Sequence, residues 1–191
     1  LAVEATPPPR AALLPHIWLS DEEIRQGQRL LEQLPDKAGT PPIALHPYAT
    51  HPDKAWKEAY WRQLMELFES RGIPWIVIGR GSGMEGIPAS RNFTNRTSLR
   101  ETCALLKSSS LLITGDSGPM HLAGAVGTPV LALFGPTTEE WGFFPAGPKD
   151  RVLESQLDCR PCTLHGKKHC DRNHACMQSI TPEQVMRALD E

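Results

Sequence analysis

Asp116, Ser117 and Gly118 stand between two apolar runs, Leu111–Ile113 and Val130–Phe134. A segment of small and apolar residues follows them, with Met120, Leu122, Ala123, Ala125 and Val126. This order predicts a strand, a tight turn, a helix and a second strand. Such a turn lies outside the carboxyl end of a strand, where open α/β sheets place their ligands. Backbone N–H groups at the helix start, together with the positive end of its dipole, favour an anion there, a phosphate above all.

Three other segments carry polar side chains just after apolar runs. The stretch from His46 to Trp56 holds Thr50, His51 and Lys54; the glycine-rich stretch Gly79–Gly86 offers backbone amides and Glu85; Gly135 to Trp141 holds Thr137, Thr138 and Glu139. In a parallel sheet these loops share one edge and converge. Each residue also has a plainer reading. Polar side chains collect in loops, Asp116 suits a helix cap, His121 a core histidine, and Lys54 a solvated cation. The glycine-rich stretch is no dinucleotide fingerprint, because Met84 stands where a third glycine is needed and no helix follows promptly. It reads as a flexible turn.

The elements that must position these residues are legible from local signals. Ser20 with Glu23 and Ser98 with Glu101 are capping boxes, predicting helices from Ser20 to about Leu34 and from Ser98 to Lys107. Ile43–His46 and Trp75–Ile78 read as strands, and Tyr60, Leu64, Leu67 and Phe68 line one helical face between them. Arg151–Leu153 suits a short strand. Thr181 and Pro182 open a terminal helix over 182–190 with Val185, Met186 and Leu189 on its apolar side. Apolar strands alternating with helices predict a doubly wound parallel α/β sheet. Residues 1–16, with Pro7, Pro8, Pro9 and Pro15, read as an extended linker, leaving 17–191 as one domain.

The chain has 191 residues and a formal charge of −2, with no basic field for nucleic acid. No apolar run approaches the roughly 20 residues that cross a bilayer, and the start lacks a charged n-region and an apolar h-region. The expectation is a cytoplasmic chain. Because it begins at Leu1 without Met, the simplest expectation is a fragment or processed chain with an upstream part.

Of five cysteines, Cys103 shares a helical face with Leu99 and Leu106 and reads as a buried apolar residue. Cys159, Cys162, Cys170 and Cys176 form a Cys-x2-Cys-x7-Cys-x5-Cys run over an irregular segment, 157–178, with His165, His169 and His174 between them. Three readings stand for this run: a structural zinc, disulfides, or free thiols packing a flap. Each makes it a staple rather than a reaction centre.

Asp116-Ser117-Gly118-Pro119-Met120-His121-Leu122-Ala123, then Gly127-Thr128-Pro129-Val130 and Phe134-Gly135-Pro136-Thr137, resemble the signature of glycosyltransferase family nine, the lipopolysaccharide heptosyltransferases. His46-Pro47-Tyr48-Ala49-Thr50 with Lys54-Ala55-Trp56 is similar to that family's Pro-Gly-Ala…Lys-Arg-Trp-Pro loop, and the cysteine tail is similar to that of its members. The resemblance covers roughly residues 17–190. It implies the Rossmann-like C-terminal half of a GT-B enzyme, the half that binds the nucleotide-sugar donor. The family's N-terminal glycine-rich segment and acidic catalytic base have no counterpart here, so no catalytic residue is assigned. Lys57 replaces the family's proline, and His46-Pro47-Tyr48 replaces a more glycine-rich turn.

The implied reaction is inverting transfer of heptose from ADP-heptose to a lipopolysaccharide-type acceptor, with no required cofactor. The implied donor site is Thr50, Lys54, Ser117 and Gly118 at the phosphates and Asp116 at sugar hydroxyls or Lys54. His121 supports the turn, and Met120 and Glu85 complete the set. The resemblance also implies a glycolipid acceptor, held through the missing N-terminal domain, and a place at the cytoplasmic face of the inner membrane. Two rival readings are weighed. Nucleotide-sugar epimerases with the same layout resemble Asp-Ser-Gly-Gly followed by Gln-Glu-Glu, whereas Pro119-Met120-His121 stands here. The other rival is a non-catalytic nucleotide-binding module with a zinc-stapled tail.

Overall fold

The computed structural model describes residues 14–35, 39–163 and 170–190. Most of the expected linker, residues 1–13, lies outside them, as do His165 and His169. Five parallel strands form one sheet: β1 (Ile43–His46), β2 (Trp75–Val77), β3 (Leu111–Gly115), β4 (Val130–Phe134) and β5 (Arg151–Glu154). Their spatial order is β2-β1-β3-β4-β5. The chain moves outward from β1 to β2, then returns to the other side of β1 for β3. That reversal leaves a crevice between the carboxyl ends of β1 and β3, the position at which open α/β sheets bind ligands.

Helices cover both faces, which explains strands that are apolar throughout. Successive side chains point to opposite faces. Leu45, Val77, Ile113, Leu131 and Leu133 pack in one core with Trp61, Leu64 and Phe68 of α2 (Glu58–Arg71) and Val185 and Met186 of the terminal helix (Pro182–Asp190). Ala44, Ile76, Leu112, Ala132 and Phe134 face the other core. That core holds Cys103, Leu105 and Leu106 of α3 (Leu99–Lys107) and Met120, Ala123 and Val126 of α4 (Gly118–Val126). Cys103 is a buried apolar residue, as its spacing predicts.

The first helix, α1 (Asp21–Leu31), lies on α3. Both start with the complete capping box, side chain to backbone in each direction. Gly27 lets them approach: a Cβ there would lie 2.7 Å from the carbonyl carbon and oxygen of Ala104. Glu23 and Arg100 add an ion pair at 2.6 Å across the exposed edge.

The structure differs from the local signals at some ends. α1 stops at Leu31, with Glu32 already bonding back to Gln28 and Arg29 in a closing turn. β2 ends at Val77, although the Ile78 N–H still donates to the Leu45 carbonyl at 2.9 Å. The segment expected to be irregular over 157–178 contains a short helix, α5 (Ala175–Gln178), ahead of α6 (Pro182–Asp190). Burial of Cys176 and Met177 against the sheet gives this turn a packing partner that local pattern does not reveal.

Candidate functional site

β1 and β3 end side by side, His46 opposite Thr114 in the register. His46 Nδ1 lies 3.1 Å from Thr114 Oγ1 and 3.2 Å from Ser117 Oγ, and the two hydroxyls are 2.9 Å apart. The three groups form a closed triangle at the base of the crevice. His46 is only 6% exposed. Burial pushes its pKa down to about 4, so the ring is neutral at pH 7. Ser117 is the N-cap residue of α4 by position, yet its hydroxyl belongs to this triangle and makes no cap bond. Pro119, in the first turn, has no N–H to satisfy.

Beside the triangle, Asp116 joins loops from three strands. Its Oδ2 accepts from Lys54 Nζ at 2.5 Å and from Thr137 Oγ1 at 3.0 Å. Lys54 ends a single 3-10 turn, Pro52–Lys54, after β1. Thr137 follows β4, and its backbone is held in turn by Arg160. That nearly buried guanidinium donates to the carbonyls of Gly135, Ser155 and Thr137, and to Glu154 Oε2 at 2.7 Å. The Lys54 and Asp116 side chains are only 15% and 10% exposed. A half-withdrawn ammonium beside the start of a helix is an arrangement that stabilises phosphate oxygens.

The crevice opens into a cleft of about 450 Å³. His46, Tyr48, Thr50, Arg80, Ser117 and Gly118 are among its walls. Tyr48 donates to or accepts from Thr94 Oγ1 at 2.7 Å and meets the His46 ring edge-on. Burial raises its phenol pKa, and the charge of Glu85 adds to the rise. Gly79, at φ +120°, must be glycine: a Cβ would lie 2.5 Å from His46 Cδ2. A larger hollow of about 590 Å³ lies beside α1, walled largely by Leu31, Leu34, Pro41, Pro42 and Pro74. It adjoins the start of β1, at the opposite end of the sheet from the charged pair.

The expected donor-site residues therefore separate. Thr50, Ser117 and Gly118 line the cleft, and Lys54 and Asp116 pair beside it. Glu85 is exposed, with its carboxylate accepting the Gly83 N–H at 3.1 Å inside its own loop. Met120 is buried in the core beneath α4. His121 is exposed, so it is no core histidine, and it lines a separate hollow of about 250 Å³ with Phe144 and Asp150. His46, Thr114 and Arg160 are absent from the sequence-based set. A polar residue ending a buried apolar strand is the signal that points to the first two.

Among the described residues no three His, Cys, Asp or Glu side chains are gathered as metal ligands. Cys159, Cys162, Cys170 and Cys176 form no disulfide among the described residues. Burial raises the Cys176 thiol above its usual range, which suits packing rather than reactivity.

Comparison with known proteins accounts for this arrangement. Residues 15–171 match the model of glycosyltransferase family 9 (heptosyltransferase). Lipopolysaccharide heptosyltransferase 1 of Pseudomonas aeruginosa is 35% identical over 153 residues, covering 73% of this chain and 40% of the relative. The chain thus spans less than half the length of that protein. The structure of Escherichia coli ADP-heptose heptosyltransferase II superposes with TM-score 0.69 at 23% identity, over 93% of this chain and 53% of the other. A dodecameric iron-containing heptosyltransferase, TibC, solved with ADP-D-beta-D-heptose, superposes with TM-score 0.64 at 23% identity, over 82% of this chain and 46% of the other. Structural neighbours of this kind share the GT-B-type architecture. With most of its length under the family model, and its polar residues gathered at the β1/β3 crevice, the chain belongs to glycosyltransferase family 9.

Proposed function

We propose that residues 17–191 form the donor-binding domain of an inverting glycosyltransferase that takes heptose from ADP-heptose and delivers it to a lipopolysaccharide-type acceptor. The observation that carries this reading is the meeting of Lys54, Asp116 and the start of α4 at the β1/β3 crevice. Family membership and a relative named lipopolysaccharide heptosyltransferase support the transferred group, and the neighbour solved with ADP-heptose supports the donor. The same membership disfavours the epimerase and the non-catalytic module.

In the reaction, an acceptor hydroxyl attacks the anomeric carbon while the bond to the diphosphate oxygen breaks. Negative charge grows on the departing diphosphate. The Lys54 ammonium and the N–H groups opening α4 face that charge, so this domain contributes by fixed electrostatics. Asp116 and Thr137 keep the ammonium in place. The neutral His46 holds the Ser117 hydroxyl without adding a second cation. The acceptor enters from the rest of the protein, working at the cytoplasmic face of the membrane. No helix among the described residues is itself long and apolar enough to cross one.

A thermal-shift series with ADP, UDP, GDP and their sugars tests the proposal, since a ligand that binds the native state raises the melting temperature. The expected result is a rise with ADP and ADP-heptose above the others. Stabilisation by none of them would overturn the assignment.

A further inference from the structure

The turn that carries Lys54 is held from outside the cleft by the cysteine-bearing tail. His174 Nε2 lies 2.7 Å from Asp53 Oδ1, one residue before Lys54. Trp56 donates its indole N–H to the Ile180 carbonyl at 2.8 Å, Lys57 Nζ donates to Gln178 Oε1 at 2.9 Å, and the Tyr60 hydroxyl donates to the Gln178 carbonyl at 3.3 Å. Residues 53–60 are thus stitched to 174–180 at four points. The tail also packs against the residue that follows β4: a Cβ at Gly135 would lie 2.6 Å from Met177 Cγ and 3.3 Å from Cys176 Sγ. His174 itself sits in the left-handed region at φ +54°, with its N–H donating to Cys170 Sγ at 3.2 Å. A strained backbone at a position whose side chain reaches a loop neighbouring the cleft points to a role for that side chain.

We infer that His174 is a positioning residue for Lys54: its ring holds Asp53, and Asp53 fixes the turn that aims the ammonium at Asp116 and at an incoming diphosphate. Asp53 is only 17% exposed, so a charge-assisted bond there is sheltered from competing water. The 3-10 turn makes no side-chain cap of its own and depends on contacts such as this one. Small displacements of a charged group in a binding site carry a large penalty. The cysteine segment thereby acquires a function as a brace for the donor loop. This inference rests on the reading of Lys54 as a diphosphate ligand.

Calorimetric titration of ADP into the intact protein and five variants tests it, with the melting temperature recorded for each. Lys54→Ala is expected to weaken ADP roughly 100-fold. His174→Asn, which tolerates the left-handed backbone but loses the ring nitrogen, and Asp53→Ala are each expected to weaken it about 5- to 10-fold. The double variant should be no weaker than the worse single one, because both remove the same contact. His174→Gln, whose amide reaches about as far as the ring nitrogen, should recover most of the affinity. A purely structural role would move the melting temperature and not the affinity. Affinity within about twofold of the parent in His174→Asn and Asp53→Ala, with Lys54→Ala strongly impaired, would overturn the inference and leave the donor site standing. Unchanged affinity in Lys54→Ala would overturn both.

Discussion

Lys54 and Asp116, 62 positions apart in sequence, meet at 2.5 Å through a single carboxylate oxygen that Thr137 also donates to. One acceptor atom thus ties the loops after β1, β3 and β4 together. In the proposed donor site, removing the lysine abolishes the cation that faces the diphosphate. Removing the aspartate leaves a sheltered cation without its partner. Asp116→Ala should therefore lower stability by about 1–3 kcal/mol and also weaken ADP, whereas Lys54→Ala should act mainly on ADP. Urea unfolding beside ADP titration separates the two effects.

His46 makes stability depend on pH in a defined window. Its folded pKa, about 4, lies below the ordinary 6.5. The unfolded chain therefore binds a proton first as pH falls. The contribution is complete above pH 6.5, declines as pH drops toward 4, and is gone below it. The total is on the order of 3 kcal/mol. His46→Asn, which retains a polar atom near Nδ1, should flatten the loss between pH 6.5 and 4 relative to the parent. Denaturant unfolding at pH 7 and pH 4.5 provides the check, and an equal loss in both proteins would refute the assignment.

Gly79 packs directly against His46 and Tyr48 in the cleft wall. An alanine there must accept φ +120° and displace the His46 ring as well. Gly79→Ala should cost about 1–3 kcal/mol and reduce ADP affinity together, since the displaced ring belongs to the hydroxyl triangle. Gly86, also at positive φ but with open space around a Cβ, is the control: its alanine variant should lose stability without losing ADP affinity.

At Gly27 the expectation is the reverse. Neither Gly27 nor Ala104 lines the cleft, and a methyl group would press on the Ala104 backbone, which cannot rotate aside. Gly27→Ala should destabilise the fold by about 1–3 kcal/mol while ADP affinity in the folded protein stays unchanged. A melting curve and a titration below the transition distinguish this from a site effect.

The helices with capping boxes were legible because Ser20–Glu23 and Ser98–Glu101 are local devices, complete within one turn. The crevice was legible in outline, because strand and helix alternation implies which loops share an edge. Its interior was not. The pairing of His46 with Thr114 depends on strand register, and the grip of Arg160 on the Thr137 loop depends on how a remote segment folds back. Met120 shows the opposite failure: it lies inside the signature, yet with Ala123 it repeats at helical spacing on the face that meets the sheet. Periodicity outweighs motif membership there. His174 and Asp53 are 121 positions apart, and nothing in either neighbourhood foretells their meeting.

The reversal of strand order at β1 has one more consequence. Two adjacent strands whose onward connections diverge leave a gap at their tips whatever side chains border it. The proposed donor preference is therefore open to revision by exchanging loop residues such as Tyr48, Arg80 or Thr97, while both hydrophobic layers are kept intact.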